Sequence, residues 1–328
     1  MQKNKFTTYL LYAFGEIVLV VIGILIAVSI NNWNQERAKS ELFEQLVVSL
    51  EKTLEEGIEE LEIYLSIYEE KLRLGRMILD PPQNNSIISI SQMRKFMSFE
   101  VDFTFLQFDV LDQIQDLEYA APKRYAQLFE MITYYEYWLS NFIQDEIAAR
   151  QIIEEFDRYL IHNMNDYSNE DIQLSRQKLL FYSTDPTARN WIYKLTDNRS
   201  KIASQLTALQ SSYLGMIAAI KVAEENFDTE ILKEYLKDRG LEPPTIHPCD
   251  QEVQDQDTPF FFSLYFNYTS TTKVLNRYGT SGRFIESFSL LPGEFHVIGR
   301  GSFEEVTDSE GNCELKLSST SNAFVLID

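Results

Sequence analysis

Basic charge is outnumbered in this chain and histidine and cysteine are scarce, and each shortage argues against a class of function. Against 50 Asp and Glu stand 29 Lys and Arg, a net charge of −21 over 328 residues. Residues 1–40 carry +2, with Lys3, Lys5, Arg37 and Lys39 against Glu16 and Glu36, so the remainder carries −23. A surface that acidic repels DNA, RNA and anionic bilayer faces, so nucleic acid is not expected as a partner. The three histidines, His162, His247 and His296, fall in separate regions, and no pair has helical metal-ligand spacing. No Gly-x-Ser-x-Gly elbow, Gly-rich phosphate loop or His-Glu-x-x-His helix occurs. Carboxylates are abundant, but no pattern singles out a pair. No catalytic residue, metal or cofactor is therefore assigned, and a non-enzymatic protein is expected. Two cysteines, Cys249 and Cys313, are too few for a disulfide scaffold. They read as one staple if the body lies in an oxidising compartment, with two inert thiols as the alternative.

What the chain does have is one long apolar run near its start. Tyr9 to Ile30, about 22 residues at about 1.5 Å each, crosses a hydrocarbon core of roughly 30 Å, and Glu16 is its only formal charge. Ala27-Val28-Ser29 would suit a signal peptidase. The run is longer than a signal core, however, and Trp33 follows where an interfacial anchor belongs, which favours an uncleaved signal anchor. Lys3 and Lys5 before the span, set against Arg37 and Lys39 after it, bias the N-terminus only slightly toward the cytoplasm. The bulk of the chain would then lie across the membrane, in the periplasm of a Gram-negative cell, with a tail too short for its own output module.

The stretch YLLYAFGEIVLVVIGILIAVSINNWN, Tyr9 to Asn34, resembles the N-terminal signature of an uncharacterised family of bacterial single-span inner-membrane proteins. Gly15-Glu16-Ile17 and Asn31-Asn32-Trp33-Asn34 carry the likeness. It implies one span followed by a helical extracytoplasmic region, and it implies no catalytic residues. Within the span, Gly23 and Ala27 form a small-xxx-small pair, and Glu16, Gly23, Ala27 and Asn31 share a stripe. A carboxylate in an apolar span costs free energy, so this stripe is the candidate surface for a protein partner or a second copy, against a Glu16 that merely snorkels to headgroup water.

Beyond the span, Val47, Leu50, Leu54, Ile58, Leu61, Leu65, Tyr68 and Leu72 recur at three-and-four spacing without a proline until Pro81, which marks one long amphipathic helix. Short helices follow from Ser89 or Ser91 and near Thr104. Ala121-Pro122 opens a second long helix and Asp185-Pro186 a third. Ser168 with Asp171 resembles the capping pair of a shorter one, and a last short helix runs from about Asp228 to Gly240. Further amphipathic helices need something to pack on, so an antiparallel bundle is favoured over a parallel coiled-coil dimer.

Pro243, Pro244, Pro248 and an acidic run to Asp257 read as a solvated linker, without the glycine and terminal glutamate of a calcium loop. After it come seven short runs of aromatic and branched residues, from Phe260–Phe266 to Ala323–Ile327, punctuated by Pro292-Gly293 and Glu310-Gly311-Asn312. They predict a small β-sandwich. Leu291-Pro292-Gly293 and Arg300-Gly301-Ser302-Phe303-Glu304-Glu305-Val306-Thr307-Asp308 weakly resemble the β-domain of the von Hippel–Lindau protein. That likeness implies a surface for protein contacts. Ser302 and Glu304 replace the histidine and tryptophan of its hydroxyproline pocket.

The expected fold is mainly α: a cytoplasmic tail (1–8), a transmembrane helix (9–33), a helical bundle (34–240), a linker (241–257) and a β-sandwich (258–328). The expected function is a non-enzymatic, membrane-anchored scaffold or interaction protein. The alternative is a ligand-sensing module that signals through a separate membrane partner.

Overall fold

The computed structural model describes residues 3–80, 89–98, 106, 109–164, 180–224, 227–239, 241, 243–251, 253, 262–279, 283–299, 303–318 and 323–327. The capping pair at Ser168 and Asp171 and the glycine stop at Gly240 lie outside them. The class is mainly helical with a C-terminal sheet region. Six α-helices are described: α1 (Lys3–Leu79), α2 (Ile90–Met97), α3 (Asp109–Asp116), α4 (Ala126–Asn163), α5 (Pro186–Val222) and α6 (Thr229–Asp238). The chain divides into two compact units, Met1–Leu50 with Asp109–Lys123, and Glu51–Phe108 with Arg124–Asp328.

Local chemistry sets the helix starts. Ser89 caps α2 by a reciprocal box: its Oγ accepts from Gln92 N at 3.2 Å, and Gln92 Oε1 accepts from Ser89 N at 2.8 Å. Asp185 caps α5, accepting from Ala188 N at 2.8 Å, with Pro186 in the first turn where its missing donor costs nothing. A 3₁₀ turn (Lys123–Tyr125) after Pro122 leads into α4.

In the first unit, Phe43, Val47 and Leu50 of α1 are buried, as are Leu111 and Ile114 of α3. A 3₁₀ turn (Glu118–Ala120) follows α3. In the second unit α5 is the centre, with every residue from Gln205 to Ile220 buried. It runs antiparallel to α4, as the contacts Phe156 with Trp191, Gln205 with Asp145 and Tyr135 with Tyr213 require. It is likewise antiparallel to the second part of α1, where Arg189 reaches the Leu79 carbonyl, Gln210 reaches Glu62 and Lys221 pairs with Glu51 at 2.6 Å. Gly75 permits this approach, because a Cβ there would sit 2.3 Å from Thr196 Oγ1 and 2.9 Å from the Phe96 ring.

Among the described residues, eight strands form two sheets: β1 (Thr245–His247), β2 (Phe262–Asn267), β3 (Lys273–Tyr278), β4 (Phe284–Leu290), β5 (Phe295–Gly299), β6 (Phe303–Thr307), β7 (Cys313–Ser318) and β8 (Ala323–Ile327). The larger sheet has the order β1-β7-β6-β3-β4 and the smaller β5-β2-β8, where β2 and β8 run parallel. Leu264 through Asn267 are buried on both faces of β2. Tyr265 joins Leu275, Leu290, Val306 and Leu317 in the core between the sheets. Leu264 faces α5 at Gly215, and Phe266 stacks on Phe295 with centroids 4.4 Å apart. The smaller sheet is thus a middle layer between the larger sheet and the helices, and Phe295 N donates to Gln127 of α4 at 2.9 Å. The stretch read as a linker contributes to this body: Leu241 is buried, and Thr245–His247 pairs with Lys316–Ser318 as an edge strand.

Candidate functional site

Among the described residues, one helix is long and apolar enough to cross a membrane. An 18-residue window within Phe14–Leu79 has a mean hydropathy of 2.4, with none of that window buried. Glu16, Gly23, Ala27 and Asn31 are all exposed on this helix, and nothing within 4 Å would meet a Cβ added at Gly23. At 100° per residue these four fall within about 80° of the helix circumference and within about 23 Å along its axis. The stripe is therefore a continuous, open face, with a carboxylate and an amide at its two ends. Cys249 and Cys313 form a disulfide with Cα atoms 6.0 Å apart, which joins the segment after β1 to the first residue of β7.

A second constellation lies in the core of the second unit, where three helices meet. Tyr68 and Lys71 on α1, Glu146 on α4 and Arg199 on α5 are each 5% exposed or less. The Tyr68 hydroxyl donates to Glu146 Oε1. Lys71 Nζ donates to the Ser98 carbonyl at 2.9 Å, and the Arg199 guanidinium stands 4.4 Å from the centre of the Phe96 ring. Beside them Asn198 Nδ2 donates to the Asp145 carbonyl at 3.1 Å, and Gln205 Nε2 to the Asp145 carboxylate at 2.6 Å.

Burial dominates the electrostatics. It pushes the Glu146 carboxyl up, while the hydrogen bond from Tyr68 and the charges of Lys71, Arg199 and Arg150 pull it back down. Burial also lowers the Arg199 guanidinium to about 10, against the opposing pull of Tyr68 and Glu146. Two buried cations thus share one buried carboxylate, and the Arg199 Nη1 and Asn198 Oδ1 atoms have no hydrogen-bond partner. Among the described residues, no group of three or more His, Cys, Asp and Glu is placed to hold a metal.

Comparison with known proteins narrows the question without naming an activity. Residues 16–102 match a family of unknown function (DUF6090). The match covers about a quarter of the chain, from Glu16 through α2. It takes in the exposed stripe together with Tyr68 and Lys71, and leaves Glu146 and Arg199 outside. No curated protein and no solved structure matches the chain. The von Hippel–Lindau likeness of residues 291–308 therefore gains no support from them.

The buried cluster is not legible as a site in the sequence. Tyr68 fits the apolar repeat of α1, and Arg199 stands among polar residues that suit a solvent-facing side. The signal that marks it is periodic: Leu195, Asn198, Ile202, Gln205 and Leu209 follow three-and-four spacing, which puts two amides in a leucine-isoleucine stripe. Asn198 and Gln205 are buried there, and Arg199 lies next along the chain.

Proposed function

We propose that this protein is a non-catalytic, membrane-anchored interaction module, held by residues 9–33 in the inner membrane of a bacterium with its N-terminus in the cytoplasm and its body in the periplasm. The observation that carries this reading is the wholly exposed apolar surface of α1, which a bilayer would cover and water would not. The Cys249–Cys313 bridge supports an oxidising compartment for the body. Partner contact is assigned to the Glu16–Gly23–Ala27–Asn31 stripe, where small residues permit close helix approach and the carboxylate can pair. Phe284 and Ile285 of the edge strand β4, 53% and 48% exposed, add an apolar border to the larger sheet.

The test is photocrosslinking from Val20 in intact membranes, with Glu16→Gln as the comparison. One specific crosslinked species, in a fraction that resists alkaline carbonate and is weakened by Glu16→Gln, is expected. Recovery of the protein in the carbonate supernatant overturns the anchor, and diffuse crosslinking unaffected by the substitution overturns the interaction role.

Ligand sensing by the helical body is favoured by one observation, the buried Arg199 Nη1 without a partner beside a second buried cation. Native mass spectrometry of the purified protein separates the readings. A co-purifying anionic metabolite, lost in Arg199→Met, favours sensing, and the bare polypeptide mass favours the interaction module.

A further inference from the structure

The edge strand β1 is held to its sheet by one covalent bond and by little else. Among the described residues it pairs with β7 alone, Thr245 opposite Ser318, Ile246 opposite Leu317 and His247 opposite Lys316. Two side-chain contacts add to this ladder: His247 Nε2 lies 2.8 Å from Ser318 Oγ, and Lys316 Nζ donates to the Gln251 carbonyl at 3.2 Å. No side chain from Pro243 to Gln251 is buried, and Ile246 is 67% exposed. The strap therefore gains little from the hydrophobic effect. Just past its last rung, Cys249 is bonded to Cys313, the first residue of β7.

A ladder this short is a poor anchor. Each of its hydrogen bonds replaces one to water for a small net gain, whereas every ordered residue gives up backbone freedom. With no apolar burial to offset that loss, pairing alone does not keep β1 docked. The bridge does so by holding the Cα atoms of Cys249 and Cys313 6.0 Å apart, which keeps the strap beside the edge it pairs with. At its other end the strap is rooted by the buried Leu241.

What the strap covers is the outer side of β7, whose inner side pairs with β6. Without β1, N–H and C=O groups of Lys316–Ser318 would stand open at the sheet edge, beside the buried Leu317. Both cysteines are only half-buried, so a thiolate from outside can reach the bridge. We propose that Cys249–Cys313 is a redox-sensitive latch, whose reduction by a dithiol frees β1 and uncovers the β7 edge while the rest of the body stays folded. One thiolate of the dithiol attacks a bridge sulfur and forms a mixed disulfide, which the second thiol then resolves. Cys249 and Cys313 take up the two electrons and two protons as thiols, and the dithiol is left as its own disulfide. In an oxidising compartment the latch is closed.

The test is hydrogen exchange of the full chain in detergent, read by mass spectrometry on peptides from β7 and from β3, a strand paired on both sides within the sheet. Cys249 and Cys313 are the chain's two cysteines, so dithiothreitol has no other disulfide to reduce. In the oxidised protein the β7 amides that face β1 should be slow. Reduction is expected to bring them to the rate of an unstructured peptide, with β3 remaining at least about a hundredfold slower. The Cys249→Ser, Cys313→Ser double variant should match the reduced protein and ignore the reductant. The same β7 rates in both redox states, or a double variant that keeps the oxidised pattern, overturns the latch. Exchange of β3 and β7 alike at the unstructured rate also overturns it, because reduction then unfolds the body instead of freeing one strand.

Discussion

Two helical stretches among the described residues lack a polar face, and they differ in what surrounds them. Phe14–Ile30 of α1 is exposed on all sides apart from a partly covered Gly15, and Leu206–Ile220 of α5 is buried on all sides. The first contains one ionisable residue, Glu16, and little else that is polar. The second contains Thr207, Gln210, Ser211 and Ser212, and each has a partner: Thr207 donates to the Ala203 carbonyl, Gln210 to Glu62, and both serines to the Ala208 carbonyl. A protein core tolerates polar side chains when it supplies their hydrogen bonds, whereas lipid supplies none. The polar content of a helix without a polar face therefore helps to indicate whether protein or lipid is meant to cover it.

The largest effect should come from placing the same charge in both stretches. Leu209→Asp buries a carboxylate at a fully buried site and should cost more than about 4 kcal/mol, enough to unfold the body. Ile22→Asp should leave the melting temperature of the detergent-solubilised protein unchanged and instead weaken membrane insertion by about 3 kcal/mol. Equal melting losses in the two variants would show that α1 is covered by protein. The body also has a covalent tie that the span lacks. Cys313→Ser should lower stability by about 4 kcal/mol, as expected for a bridge between residues 64 apart, and denaturant unfolding measures it.

Glycine sharpens the contrast at a smaller scale. Gly75→Ala drives a methyl into Thr196 and should cost about 1 to 3 kcal/mol, read as a lower denaturation midpoint. Gly23→Ala meets nothing within the chain and should leave the body's stability unchanged, while weakening any crosslink made through the stripe. If Gly23→Ala alters neither, the stripe is not a close helix contact.

The parts of this structure that local rules govern were legible in the sequence. Asp185 with Pro186 marked one helix start and Ser89 or Ser91 another, because a cap needs only a few neighbouring residues; the reciprocal bond with Gln92 then selects Ser89. The seven strands from β2 to β8 were visible through their aromatic and branched composition and their turns, two of which place Gly293 and Gly311 at positive φ. What depended on distant partners was not legible. Thr245–His247 lies in a proline-rich stretch, and its Ile246 is 67% exposed, so only pairing with β7 some seventy residues later makes it a strand. Nor does any local pattern show that β2 is buried on both faces, since α5 covers one of them. The Tyr68–Glu146–Arg199 cluster draws its members from three helices, and no window of sequence holds two of those three residues. The exposed stripe was legible because a single helix defines it.

The smallest effect separates body from span through pH. His296 of β5 lies against Phe288, with ring centroids 4.4 Å apart, and burial lowers its pKa below the usual 6.5, opposed by the charges of Glu294 and Glu286. The folded state thus prefers neutral imidazole more than the unfolded chain does. Its contribution is complete above pH 6.5 and is lost as pH falls through the folded value, because the unfolded chain takes up the proton first. Glu146 acts in the opposite sense: its raised pKa favours the protonated folded state, so its contribution is complete below about 4.5 and declines as pH rises through the folded value. As pH falls from 6.5 toward the folded value the body should therefore lose stability through His296 with a slope of at most about 1.4 kcal/mol per pH unit, one proton's worth. His296→Gln should flatten that slope while leaving carbonate-resistant membrane association untouched. Urea titrations at half-unit pH steps measure it, and an unchanged slope in the variant would assign the acid sensitivity to other groups.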